Sequence, residues 1–111
     1  MIKRRIEEFH RGWFIGNFEP SVLKTDQFEV ALITHIKGEQ WPKHYHAVAT
    51  EYNLLVSGSM RICGQQIQPG DVFVLEPNEV ADPEFLEDCK VVCVKVPSIK
   101  GDKYEVFSQQ R

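Results

Sequence analysis

Two histidines and a glutamate hold most of the chemistry this sequence offers. His44 and His46 flank Tyr45, and Glu51 follows five positions after the second histidine. Side chains on an extended strand alternate faces, so His44 and His46 point one way and Tyr45 the other. Two imidazoles and a carboxylate arriving from the next strand supply nitrogen and oxygen donors to one divalent ion. This is the 2-His-1-carboxylate pattern, which leaves coordination positions open for substrate or dioxygen. Such donors suit Fe, Mn, Ni or Zn rather than Ca or Cu(I). A lone His-x-His is weak, since most are surface coincidences. Here glycines bracket the set: Gly38 lies six residues before His44, and Gly58 lies seven after Glu51.

The full spacing, Gly38-x5-His44-x-His46-x4-Glu51-x6-Gly58, resembles the first sequence motif of the cupin superfamily along its whole length. A partial second motif follows: Pro69-Gly70-Asp71, the apolar run Val72-Phe73-Val74-Leu75, then Glu76-Pro77-Asn78. The resemblance spans roughly residues 28 to 96 and has the short intermotif stretch of small single-domain bacterial cupins. It implies an all-β fold, a cupin-type jelly-roll barrel (double-stranded β-helix), with a metal site inside its mouth. It also implies metal ligation by His44, His46 and Glu51.

The family's fourth ligand, a histidine in motif two, has no counterpart. Counted from Gly70, its slot falls on Ala81; with one extra residue around Pro77 it falls on Asp82. No histidine lies beyond His46. Pro83 directly after Asp82 suits a turn better than a ligand strand, which favours Ala81 in the slot.

The remaining candidates have bland readings. His35, near the end of a half-buried strand, reads as packing or surface. Trp41-Pro42 reads either as a rigid lip over the barrel mouth or as a ring packed under a loop. Glu76 and Glu79 read as surface. Cys63, Cys89 and Cys93 are odd in number and match no zinc spacing. On one strand Cys89 and Cys93 stand ~13 Å apart, too far to pair, so the three read as reduced, small apolar fillers. Pro97 to Tyr104 reads as a polar return stretch without a role.

The elements that must position the donors are strands. Phe28 to Ile36 places Phe28, Val30, Leu32 and Ile36 on one face. Glu51 to Val56 makes a second strand, ending at Ser57-Gly58. Met60 to Cys63 pairs with Gln66 to Gln68 through a Gly64-Gln65 turn. Val72 to Leu75 and the alternating stretch 89 to 96 complete a series with turn signals every eight to twelve residues, the mark of a barrel or sandwich. Ile2, Ile6 and Phe9 have the spacing of a short helical stripe. We divide the chain into an N-terminal segment, 1–27, packing on the barrel or on a dimer partner, and the barrel proper, 28–111.

A chain of 111 residues is one domain able to hide about two-thirds of its unfolded surface. A net charge of −3 without a basic block argues against a nucleic-acid partner. The apolar runs are too short for a membrane span, and the basic opening lacks the apolar core of a secretory signal, so a cytoplasmic location is expected. The apolar stretch Trp13-Phe14-Ile15 predicts a two-fold homodimer.

Three functions suit this reading. The first is a metal-dependent enzyme acting on a small oxygen-bearing substrate. The second is a metal-free enzyme resembling sugar-nucleotide isomerases and epimerases, using the paired histidines as acid and base. The third is a non-catalytic module that holds a small ligand.

Overall fold

The computed structural model describes residues 1–107; the last four residues of the expected barrel lie outside the described residues. Eleven strands run in chain order: β1 (Trp13–Gly16), β2 (Leu23–Lys24), β3 (Glu29–His35), β4 (His44–His46), β5 (Thr50–Ser57), β6 (Met60–Ile62), β7 (Gln65–Ile67), β8 (Val72–Leu75), β9 (Glu84–Phe85), β10 (Cys89–Val96) and β11 (Lys103–Glu105). They form a six-stranded sheet in the order β2-β1-β3-β10-β5-β8, a three-stranded sheet β7-β6-β9 and the ribbon β11-β4. The N-terminal segment belongs to the large sheet, because β1 pairs antiparallel with β3 and parallel with β2.

β10 is the backbone of the large sheet, and its alternation decides what faces inward. Cys89, Val91 and Cys93 are buried and stand opposite His35, Ile33 and Ala31 of β3. On its other side Val91 faces Leu55 and Cys93 faces Asn53 of β5. Leu55, Met60, Ile62, Ile67, Leu75, Phe85 and Val91 make the core between the large sheet and the smaller one. The inward face of β3 is therefore Ala31, Ile33 and His35, and the face with Val30 and Leu32 looks away from this core.

Turn chemistry fixes the connections. The β6–β7 hairpin turns at Cys63-Gly64, one residue earlier than expected, with φ of 50° and 75°. Two consecutive positive φ values match the right-handed strand twist, which favours this turn over Gly64-Gln65. Cys63 is consequently exposed at a turn tip, not an apolar filler. Gly58 has φ 96°, and a Cβ there would stand 2.2 Å from the Asp88 carbonyl oxygen, so the second glycine of the motif is a steric requirement. Near the N-terminus, the expected helical stripe becomes two one-turn 3-10 helices, Ile6–Glu8 and His10–Gly12, with Phe9 buried between them.

Candidate functional site

β4 carries both histidines and is too short to hold itself in place. Three backbone bonds clamp it from one side: His44 N–H donates to Ala81 O (3.1 Å), Ala81 N–H to His44 O (2.7 Å) and Asn78 N–H to His46 O (2.7 Å). β11 clamps it from the other, with Lys103 opposite His46, Tyr104 opposite Tyr45 and Glu105 opposite His44. Tyr45 and Tyr104 stack at 5.4 Å on the face away from the histidines. Where β4 ends, the buried Asp102 carboxylate accepts backbone N–H bonds from Ala47, Val48 and Ala49 at 2.9–3.2 Å. Burial pushes its pKa up, but those donors outweigh burial and hold it below the ordinary carboxylate value. The stretch Pro97 to Tyr104, without a role in the sequence, thus builds the loop that carries the site.

The three sequence-derived donors all line one cavity of about 230 Å³ inside the barrel. His44 and His46 lie edge to face with ring centres 5.5 Å apart. His46 Nε2 stands 3.4 Å from Glu51 Oε2. Each imidazole donates from Nδ1 to a backbone carbonyl: His46 to Asp102 O at 2.9 Å, His44 to Pro42 O at 3.1 Å. A carbonyl oxygen only accepts, so Nδ1 carries the proton in both rings and Nε2 of each neutral ring is left as a lone pair. That is the outer-shell arrangement by which proteins fix a ligating histidine's tautomer. Asn53, two residues after Glu51 and on the same strand face, donates to Glu51 Oε1 at 3.1 Å.

Burial lowers the His44 pKa against the raising effect of its bond to the Pro42 carbonyl, and the charge of Lys103 lowers it further. Burial raises the Glu51 pKa, but a hydrogen bond from His46 and the charge of Lys95 outweigh it; that bond needs a proton on His46 Nε2 and so belongs to the imidazolium form, not the neutral one. Among the described residues no three His, Cys, Asp or Glu side chains form a closed ligand set. His46 and Glu51 face one another as a pair, and His44 lies beside His46 with its Nδ1 held by the Pro42 carbonyl. The donor types and tautomers fit a divalent transition metal.

The motif-two slot resolves by position. Ala81 is buried, bridges to His44 and lines the cavity; Asp82 is exposed and does not line it. His35, read from sequence as packing or surface, also lines the cavity. It stacks on Phe85 at 4.1 Å, and its Nδ1 contacts Glu39 Oε2 at 2.8 Å. Trp41 combines both readings offered for it: it packs on the core and lines the cavity, with its indole N–H given to Glu39. Arg11, Lys95 and Lys103 complete the polar lining and had no signal in the sequence. Burial, then the charges of Lys95 and Arg11, hold the Lys103 amine below its ordinary value.

No protein-family model matches the sequence, and no curated protein does either. Solved structures do match. A conserved protein with a double-stranded beta-helix domain from Klebsiella pneumoniae is 20% identical, with a TM-score of 0.65 over 78% of this chain and 81% of that one. The DMSP lyase DddQ from Ruegeria pomeroyi is 13% identical, with a TM-score of 0.71 over 89% of this chain and 52% of the lyase. KdgF from Halomonas sp. is 21% identical, with a TM-score of 0.60 over 68% of this chain and 74% of that one. At these identities the likeness is one of fold. The chain has the cupin-type fold, a single-domain double-stranded β-helix.

Proposed function

We propose that the protein binds one divalent transition metal through His44, His46 and Glu51 and acts on a small oxygen-bearing molecule in the cavity. The observation that carries this reading is the contact between His46 Nε2 and Glu51 Oε2 at 3.4 Å. With Nδ1 donating to Asp102 O, His46 in its neutral form presents the Nε2 lone pair to the Glu51 carboxylate. Two acceptors in that position need a cation between them. A metal ion supplies it, and when bound it acts as a Lewis acid toward an oxygen of the substrate. The residues do the rest: Asn53 orients the carboxylate, the backbone carbonyls orient the rings, and the apolar wall excludes bulk water. The lyase of similar fold supports an enzymatic reading over a purely ligand-holding one.

The same contact supports a second reading, in which a proton takes the cation's place. His46 is then an imidazolium paired with Glu51, and the two histidines serve as acid and base without metal. Elemental analysis separates the two. The metal reading expects close to one transition metal per chain, most of it lost in His46→Ala and retained in His35→Ala. Equal metal in all three proteins, or none in any, refutes it.

A further inference from the structure

The cavity carries more positive charge than its own carboxylate can answer. Arg11, Lys95 and Lys103 line it, and Glu51 is the sole acidic residue in the lining. Lys95 is partly answered by Glu29 at 3.8 Å. Arg11 and Lys103 have no carboxylate within ion-pair distance among the described residues. Instead both pack on Trp41, the guanidinium 4.7 Å and the ammonium 4.5 Å from its ring centre.

The backbone holds Arg11 in a conformation that only a special demand explains. Its φ is 52° and ψ 28°, inside a one-turn 3-10 helix, and Gly12 follows with φ 85°. Non-glycine residues avoid that region, and such outliers persist where the surroundings fix them. Gly12 is fixed by packing, because a Cβ there would stand 2.0 Å from the Leu32 carbonyl oxygen. The bend turns the chain so that Arg11 reaches across to Trp41.

We infer that Arg11 and Lys103, both packed on Trp41 at the cavity, form an anion clamp there, and that the ligand is a small carboxylic acid. The inference names the ligand of the proposed metal site and rests on that cavity being a binding site, but the clamp acts without the metal. A carboxylate accepts from the guanidinium fork and the ammonium together. The apolar part of the lining, Phe73, Leu75 and Phe85 among it, suits the hydrocarbon body of a small acid.

The test is an NMR titration of the chelator-treated full chain, following the indole N–H signals of Trp13 and Trp41. Pyruvate is the probe, and methyl pyruvate is its uncharged counterpart. Pyruvate is expected to shift the Trp41 signal saturably and to bind about tenfold more tightly than the ester. Lys103→Met and Arg11→Asn (asparagine tolerates the left-handed backbone) should each weaken pyruvate about tenfold, with Lys103→Arg largely restoring it. Equal binding of acid and ester, or unchanged affinity in both variants, overturns the clamp. Inorganic phosphate binding more tightly than pyruvate overturns the carboxylate class. Pyruvate that binds only the zinc-loaded protein, equally in wild type and both variants, places the anion on the metal; that result overturns the clamp and leaves the metal reading standing.

Discussion

At the scale of residues, the site is a set of donors whose tautomers are dictated by backbone carbonyls. His44, His46 and Glu51 were legible from spacing alone, because strand alternation and a turn are enough to bring them to one side. His35 was not. Both faces of β3 carry apolar residues, Val30 and Leu32 on one and Ala31 and Ile33 on the other, so alternation alone does not say which one meets the cavity. Asn53 was within reach of the same alternation, two residues from Glu51, but had no motif to draw attention to it. The vacant motif-two slot gives a prediction at this scale. Ala81 is buried against the cavity and Asp82 is exposed. Ala81→His should therefore add a fourth ligand and tighten metal binding by about tenfold or more, within the range known for ligand-set changes, while Asp82→Ala changes little. Chelator competition on both variants checks this, and a large loss for Asp82→Ala contradicts it.

At the scale of elements, the long strands follow from apolar alternation, and the short ones that hold the site do not. β11 reads Lys103-Tyr104-Glu105, without an apolar pattern, and forms because its backbone completes the hydrogen bonding of β4. No sequence pattern reports that kind of long-range pairing. Asp102 has the same character: its role is to collect three backbone N–H groups some fifty residues away. Replacing it with alanine leaves those donors unpaired and frees His46 to tilt. Asp102→Ala should cost about 2–3 kcal/mol of stability, the range for hydrogen bonds to a charged group. The pH dependence follows from the lowered pKa. A carboxyl that binds protons less readily folded than unfolded gives its full stabilisation above the ordinary value of 3.8 and loses it as pH falls through the lower folded value. Wild type should thus lose stability more steeply than Asp102→Ala as the pH drops below about 4. Parallel acid denaturation curves for the two proteins would count against this account of the loop.

At the scale of the whole molecule, the apolar surface lies elsewhere than the N-terminal stretch suggested. Trp13 is half-buried, lines the cavity and lies under Lys95; Phe14 packs edge-on against Phe9. The outward face of β5 and the edge strand β8 instead exposes Tyr52, Leu54, Val56, Val72 and Val74, with Val72 68% exposed. These residues stand opposite one another, Tyr52 beside Val74 and Leu54 beside Val72, and make one continuous patch. A second copy of the same face is self-complementary about a two-fold axis. We therefore expect a homodimer closed by β5 and β8 rather than by Trp13, Phe14 and Ile15. Light scattering should give a dimer at micromolar concentration for wild type and a monomer for Leu54→Glu with Val72→Lys. A monomeric wild type, or a double variant that still dimerises, contradicts that interface.

The central claim is that one ion sits between His44, His46 and Glu51. Anomalous diffraction from crystals grown with zinc or manganese addresses it directly. The account predicts a single strong peak bonded to Nε2 of both histidines and to the Glu51 carboxylate, at about 2.0–2.2 Å from each donor. A peak bonded through Nδ1, a peak away from Glu51, or no peak within the cavity at full metal loading would contradict it.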